Sequence, residues 1–132
     1  MTTREKTKRI IVGGVAVGGG APVSVQSMCC TKTQDVEATL RQISSLAAAG
    51  CEIVRLAVPD MDAARAISAI KERSPLPIVA DIHFDYKLAV EAARRGADKI
   101  RINPGNIGGP EKVAAVAREC SLHNIPICIG VN

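Results

Sequence analysis

The segment DKIRINPGNIGGPEK, residues 98–112, joins an apolar strand to the start of a helix. Apolar and polar residues alternate up to Arg101 and Asn103, and the Pro-Gly-Asn and Gly-Gly sequences that follow are typical of turns. Pro110 suits the first turn of a helix because that position needs no backbone N–H. A strand that carries polar side chains at its end, next to a turn and a helix, is typical of a βα unit.

The same succession of strand, turn and helix recurs along the chain. Two short strands come first, on either side of Gly13-Gly14, which tolerates the positive φ angles of a tight hairpin. Apolar strands that alternate with amphipathic helices predict a parallel sheet covered by helices. The predicted strands are 10–12, 15–17, 22–28, 51–58, 76–84, 98–103 and 126–132, and the predicted helices cover about 35–49, 60–73, 85–96 and 110–120.

Two of the predicted units resemble each other in sequence. Gly50 is followed five residues later by Arg55, in GCEIVRL, and Gly96 is followed five residues later by Arg101, in GADKIRI. Repeated βα units of similar length favour a barrel over a doubly wound sheet. The sequence therefore predicts an α/β fold with a barrel architecture.

Length and composition restrict the kind of protein. The 132 residues suffice for one domain, and aromatic residues make up only 2% of them. Because the chain has no basic stripe interleaved with aromatic residues and no apolar run near the ~20 residues of a membrane span, we expect neither nucleic acid nor membrane as a partner. Five cysteines without a CxxC pair argue against a disulfide framework and a zinc site, so we expect no metal ligands in this chain and a cytoplasmic location.

Alternation of side chains between the two faces of a strand predicts a shared site. Asp81 and His83 lie on one face of their strand, and Arg101 and Asn103 lie on one face of the next, all toward the carboxyl end. In parallel α/β folds, ligands bind at that edge. Arg55 joins the group from the preceding strand. Two arginines beside Asn103 predict an anionic ligand such as phosphate, since a guanidinium binds phosphate oxygens in a bidentate manner.

Structural alternatives remain open for these residues. Arg55 can serve only as an ion-pair partner of Asp81, and His83 can be a packing histidine instead of one that Asp81 orients for proton transfer. The last predicted strand presents three more residues on one face at the same edge: Cys128, Gly130 and Asn132.

Several blocks of the chain carry a resemblance to a known family. APVSVQSM, DVEATL, AAGCEIVRLAVPDMDAA, PLPIVADIHFDYKLA, DKIRINPGNIG and NIPICIGVN resemble, one after another, the 4-hydroxy-3-methylbut-2-enyl diphosphate synthases. VADIHFDYKLA and RINPGNIG are the most specific of these blocks. The resemblance runs from about Lys8 to Asn132 and covers only the N-terminal part of the family's barrel.

The resemblance implies a fold and an activity. The fold is the first five βα-type units of a TIM (β/α)8 barrel, preceded by a short β-hairpin, with residues 1–20 as the N-terminal arm and hairpin and 21–132 as a partial barrel domain. The activity is reductive ring opening of 2-C-methyl-D-erythritol 2,4-cyclodiphosphate in the non-mevalonate pathway of isoprenoid biosynthesis. The electrons come from flavodoxin or ferredoxin through a [4Fe-4S] cluster whose ligands are not in this chain. The full-length family members are expected to be homodimers.

The resemblance also assigns roles to residues of the predicted site. It implies substrate binding by Arg55, Arg101 and Asn132, and it places Asp81 and His83 at the reacting end of the substrate. Two positions depart from the family pattern. Cys128 stands where the family has an arginine that binds phosphate, and Cys29-Cys30 stands where the family usually has Thr-Asn. Loss of a charged contact of that kind costs about 2–5 kcal/mol of binding free energy.

Length and the residue at position 128 leave two rivals to this interpretation. A complete barrel of this type needs roughly 250 residues, so we expect an incomplete barrel, a fragment or one part of a split protein that is inactive alone. One rival is another TIM-barrel enzyme for a phosphorylated ligand, similar to pteroate synthase. The second is a degenerate, non-catalytic segment, for which Cys128 is the main argument.

Overall fold

The computed structural model of the protein describes residues 3–131. A short 3-10 helix, Thr3–Lys6, precedes the first strand. Strands and α-helices then alternate after an initial pair of strands, as the sequence predicts. In chain order they are β1 (Ile10–Val12), β2 (Val15–Val17), β3 (Gln26–Met28), α1 (Val36–Ala48), β4 (Ile53–Ala57), α2 (Met61–Arg73), β5 (Ile78–Ile82), α3 (Tyr86–Arg94), β6 (Lys99–Ile102), α4 (Pro110–Leu122) and β7 (Ile127–Ile129).

Strands β3 to β7 form one parallel sheet whose spatial order is the order of the chain, β3-β4-β5-β6-β7. Each helix returns the chain from the carboxyl end of one strand to the start of the next. A doubly wound sheet would reverse its strand order at one point, whereas this sheet runs in one direction as a barrel does. The predicted α/β architecture of an incomplete barrel is confirmed, and the sheet does not close on itself within residues 3–131.

The helices begin where the sequence predicts. Asp35, Asp60 and Asp85 each accept a hydrogen bond from a backbone N–H in the first turn of α1, α2 and α3, which satisfies a donor that the helix itself leaves free. Helix α4 starts differently, with Gly109 before it and Pro110 at its first position. None of the helices in the described part of the chain combines the length and apolar character needed to cross a membrane.

The two faces of the parallel sheet are covered by different elements. Outward side chains such as Val54 and Ile100 pack against the helices in the main core. On the other face, at the amino-terminal end of the strands, Ile53 and Val79 pack against Val12 of the β1-β2 hairpin. Gly13 in the hairpin turn adopts φ +55°, and a Cβ there would lie 2.7 Å from the Cβ of Pro77. The hairpin therefore closes one end of the inward face and leaves the carboxyl end open.

All five strands of the parallel sheet are shorter than predicted, and the first and the last are the shortest. The strand predicted at 22–28 pairs with β4 only from Gln26 onward, and the one predicted at 126–132 is confined to Ile127–Ile129. Proline begins both predicted segments and cannot donate to a neighbouring strand. Alternation of apolar residues also continues past the point where a partner strand is available, so the pattern predicts more strand than the pairing supports.

Burial raises the thiol pKa of two cysteines, Cys29 and Cys120. Cys29 follows β3 and Cys120 lies on the inner side of α4, and both belong to the main core. Burial is the main cause that raises the pKa of each thiol to about 11, with the neighbouring Cys30 and Cys51 adding to the effect at Cys29. Cys30, by contrast, is exposed. Thiolate, the reactive form, is thus suppressed at Cys29 and Cys120 at neutral pH.

We expect iodoacetamide at pH 8 to alkylate Cys30 at least about 100-fold faster than Cys29, because a thiol with a pKa near 11 is only about one part in a thousand thiolate at that pH. The rate at Cys29 should then rise about tenfold per pH unit, since its thiolate fraction grows by that factor below its pKa. Mass-spectrometric peptide mapping of the native protein over time measures both rates. Equal labelling of the two adjacent residues would contradict the burial of Cys29.

Candidate ligand-binding site at the carboxyl edge of the sheet

Asp81 lies at the centre of a cluster of charged side chains on the inward face. It is the fourth residue of β5, its side chain is only 1% exposed, and it is in register with Arg101 of β6. Nη1 of Arg101 donates a hydrogen bond of 2.9 Å to Oδ1 of Asp81. The guanidinium is 16% exposed, so this ion pair is largely shielded from water. Burial of a carboxylate costs free energy unless the carboxylate is paired, and Arg101 supplies the hydrogen-bonded partner.

Arg55 approaches the same carboxylate from β4. Its Nε lies 3.3 Å from Oδ2 of Asp81, and its Nη2 donates to Sδ of Met28 at 3.5 Å. Arg55 is in register with Val79, two residues before Asp81, so it lies one inward position deeper than Arg101. The sequence repeat therefore places both arginines on one face but at different depths.

The contact of Arg55 with Asp81 is electrostatic without being a well-aligned hydrogen bond. Nε of Arg55 and Oδ2 of Asp81 are both buried, and neither has a hydrogen-bond partner in the described part of the protein. Buried polar atoms in proteins are nearly always hydrogen-bonded, so this pair of atoms is unusual. It leaves one buried acceptor and one buried donor of the cluster without a hydrogen bond.

His83 completes the cluster at the rim. It follows β5 directly, on the face of Asp81, and its Nε2 lies 3.4 Å from Oδ2 of that carboxylate. The imidazole is 52% exposed, which argues against the packing alternative and leaves the ring accessible from the open end. The arrangement has two guanidinium groups against one carboxylate, with a histidine beside them. Its charge favours an anion, and its histidine can transfer a proton.

Asn103 follows β6 directly, and its side chain is engaged by the turn that begins there. It is 9% exposed, its Oδ1 accepts the N–H of Gly105 at 3.0 Å, and its backbone carbonyl accepts the N–H of Asn106. These bonds brace the turn after β6, and Asn103 makes no hydrogen bond to the charged cluster among residues 3–131. Asn132, the other predicted ligand-binding amide, lies outside the described residues.

An apolar cavity beside His83 was not predicted from the sequence. It measures about 200 Å³, and its walls come from the loops after β4 and β5. The ring of Phe84 is 72% exposed beside it, with its centroid 6.0 Å from that of His83. The sequence contained one indication of this cavity: the single Phe of the chain, Phe84, directly follows His83. The lining residues are Ala57, Val58, Pro59, His83, Phe84, Asp85 and Leu88.

A second cavity, of about 510 Å³, lies on the outer helical layer between α3 and α4, away from these charges.

The residues of this segment do not fit an iron–sulfur cluster. Within residues 3–131, no three histidine, cysteine or acidic side chains are grouped so that they could hold a metal. Cluster ligation requires thiolates, and burial instead raises the pKa of Cys29 and Cys120 to about 11. Cys128 is partly buried next to Arg101 in register and has no second thiol with it. No step at this site is therefore assigned to a cluster held by these residues.

Solved structures share this fold at low sequence identity. Dihydropteroate synthase from Yersinia pestis aligns with a TM-score of 0.69 and 16% identity over 92% of this chain and 45% of its own. An aldolase of the DAHP synthase type from Thermotoga maritima aligns with a TM-score of 0.63 and 14% identity over 95% of this chain and 38% of its own. At these identities the likeness shows the fold alone.

Curated relatives are much closer in sequence. Proteins named 4-hydroxy-3-methylbut-2-en-1-yl diphosphate synthase (flavodoxin) are 59% identical in Caldicellulosiruptor saccharolyticus, over 96% of this chain, and 60% identical in Brevibacillus brevis, over all of it. The chain spans 36% and 37% of the length of these two relatives. The family model for the GcpE TIM-barrel domain matches residues 7–132. The chain therefore belongs to the GcpE TIM-barrel domain family.

Proposed function

We propose that this chain is the substrate-binding barrel part of a 4-hydroxy-3-methylbut-2-enyl diphosphate synthase, an oxidoreductase of isoprenoid biosynthesis. The observation that carries the proposal is the convergence of Arg55, Arg101 and His83 on the buried carboxylate of Asp81. Residues 21–132 would be the barrel part, and residues 1–20 the arm and hairpin. The ligand proposed is 2-C-methyl-D-erythritol 2,4-cyclodiphosphate.

The remaining parts of the activity belong to the whole protein. We propose a cytoplasmic homodimer with a [4Fe-4S] cluster whose ligands lie outside the residues described here. Reduced flavodoxin is the proposed electron donor in preference to ferredoxin, because the names of the relatives specify flavodoxin. We expect the 132-residue chain to be inactive alone, because it carries the proposed phosphate-binding edge while residues 3–131 hold no group of side chains suited to the cluster.

The two arginines suit the diphosphate of this ligand. Arg101 uses one of its five N–H donors on Asp81 in the described part of the protein, and Arg55 has an Nε without a hydrogen bond. Ring phosphates carry charged oxygens that accept such donors in a bidentate manner. Asp81 keeps the two guanidinium groups on one side of the open edge, so both can contact one ligand. Asn103 would support the turn above the phosphate.

His83 suits the bond-breaking end of the reaction. Reductive opening of the ring breaks a carbon–oxygen bond to phosphate, consumes two electrons and forms a carbon–carbon double bond when the neighbouring hydroxyl leaves. The hydroxyl leaves as water only if it receives a proton, and the proposed donor of that proton is Nδ1 of His83, because Nε2 is the ring nitrogen that faces Asp81. Asp81, 3.4 Å away, stabilises the protonated ring. The apolar cavity beside His83 is suited to the carbon skeleton of the ligand.

Different observations bear on the two rival functions, a pteroate-synthase-like enzyme and a degenerate, non-catalytic segment. A pteroate-synthase-like activity has the support of the shared fold alone, and the family membership favours the synthase. A degenerate site is favoured by one specific position, Cys128, which is in register with Arg101 and has a thiol where the family pattern has a guanidinium. The proposal keeps the synthase function and treats Cys128 as a weakened contact.

Replacing Arg101 tests the anion site in the protein at its full natural length. Arg101→Gln should raise the Kd for the cyclodiphosphate by at least about 30-fold, because a charged contact to phosphate is lost from a shielded position. Arg118→Gln is the matched control, since Arg118 is exposed on α4. Isothermal titration calorimetry measures both. No binding by the unmodified protein, or equal effects of the two variants, would refute the proposed site.

The two histidines of the chain provide a matched test of proton transfer. His83→Gln should lower kcat with reduced flavodoxin by about 100-fold or more and change KM little, because the glutamine can hydrogen-bond but cannot donate a proton to the leaving hydroxyl. His123→Gln should have no effect, since His123 is paired with Glu119 at the end of α4. Steady-state kinetics of the full-length enzyme separate kcat from KM. Unchanged turnover in His83→Gln would remove His83 from the mechanism.

Cys128→Arg distinguishes a weakened site from a degenerate one. If the edge still binds the diphosphate, an added guanidinium next to Arg101 should lower the Kd for the cyclodiphosphate tenfold or more. Cys120→Ala serves as a cysteine control, because Cys120 is buried in the helical core. Titration of both variants at equal ionic strength gives the comparison. Unchanged affinity in Cys128→Arg would favour the degenerate, non-catalytic alternative.

A further inference from the structure

Gly130 is a glycine whose backbone does not require one. Nine of the eleven glycines in the chain have φ between +55° and +107°, where other residues are strained. Gly130 and Gly105 are the two that do not, so any residue could adopt their φ. Gly130 follows β7 on the face of Cys128, and its N–H donates to the carbonyl of Ile102 at 2.9 Å. A glycine in such a position usually reflects a close approach of other atoms to the backbone.

The atoms that approach Gly130 belong to the guanidinium of Arg101. A Cβ on Gly130 would lie 2.5 Å from Nε and 2.6 Å from Cζ of Arg101, and closer still to Nη2. Real Cβ atoms essentially never come within 3.0 Å of such neighbours, so either the guanidinium or the strand would have to move. The three atoms nearest to that Cβ position are all from Arg101. The space left by the missing side chain is therefore occupied by one functional group.

This contact fixes Arg101 from the side opposite Asp81. Nη1 is held by Oδ1 of Asp81 on β5, while Nε, Cζ and Nη2 lie against the backbone of Gly130 just beyond β7. The hydrogen bond from Gly130 to Ile102 ties that backbone to the strand that carries Arg101. The guanidinium is thus confined between two neighbouring strands at the mouth of the sheet. A displaced guanidinium would lose either Asp81 or its approach to the ligand.

We propose that Gly130 is a positioning residue for anion binding, because its lack of a side chain allows the guanidinium of Arg101 to lie across β7 while it is held by Asp81. The proposal rests on the proposed function insofar as the anion is the cyclodiphosphate. Gly130 would affect the affinity for the anion only by positioning Arg101, and it would make no contact with the ligand itself.

A double-mutant cycle in the full-length protein tests this inference. Gly130→Ala should raise the Kd for the cyclodiphosphate tenfold or more, and it should change the Kd less than twofold when Arg101→Ala is already present. Gly105→Ala is the matched control, since its φ is also ordinary and its nearest neighbour, Oδ1 of Asn103, would be 3.4 Å from the Cβ. It should change the Kd less than twofold. Calorimetric titration measures all four variants.

A readout without ligand separates this inference from the proposed function. The crystal structure of Gly130→Ala should show the guanidinium of Arg101 displaced from Asp81. An undisplaced guanidinium, or the same loss of affinity with and without Arg101, would overturn the positioning role, as would an equal loss in Gly105→Ala. If the unmodified protein does not bind the cyclodiphosphate, the proposed function fails, and the displacement still decides the role of Gly130.

Folding of the variants supplies a second check. If Gly130→Ala does not fold, the double variant Arg101→Ala/Gly130→Ala should fold, because the overlapping atoms have been removed. Circular dichroism and thermal melting of both proteins decide this. Failure of the double variant under conditions where Arg101→Ala alone folds would show that Gly130 serves the backbone, and would overturn the proposal.

Discussion

The buried carboxylate of Asp81 is the charge on which the arrangement of the carboxyl edge depends. Without it, Arg55 and Arg101 would place two positive charges on one inward face with nothing between them. Removing one partner of a buried ion pair typically costs about 3–5 kcal/mol, because the other charge remains uncompensated. Oδ2 of Asp81 accepts no hydrogen bond from the described residues, so the cluster is stabilised by ion pairs but keeps one acceptor unused. An unsaturated buried cluster of this kind is typical of a functional site.

Much of the fold could be predicted from the chain because its signals are local. The aspartates before three helices, the glycines after strands and the apolar alternation each act within a few residues, and they fix the order of elements. The sheet face on which Asp81, His83 and Arg101 lie could be predicted from alternation alone, because the position of a residue within its strand decides which face its side chain is on. The ends of the strands could not be predicted from the local pattern, because they depend on pairing with a neighbouring strand that this pattern does not specify.

What the sequence could not predict depends on register between strands. Alternation places Arg55 and Arg101 on one face but gives no relative height, and the pairing of Arg55 with Val79 puts it one inward position deeper. Asn103 has the right face, yet its Oδ1 is used by the turn that the sequence itself predicts. The proximity of Gly130 to Arg101 is likewise a property of β6 beside β7. The depth of Arg55 and the proximity of Gly130 to Arg101 each need a contact between segments more than twenty residues apart, whereas the bond of Asn103 is local and competes with the predicted role.

The two ends of the inward face have separate tasks, and this separation explains where change is tolerated. At the amino-terminal end, Ile53 and Val79 are covered by Val12 of the hairpin, so substitutions there act on stability. At the carboxyl end the side chains are charged and the edge is open, so under the proposed function substitutions there would also change the affinity for the ligand. Cys128 lies at that second end, on the strand beside Arg101. An uncharged side chain fits there because the main core lies on the other face of β7, and under the proposed function its cost would fall on affinity for the anion.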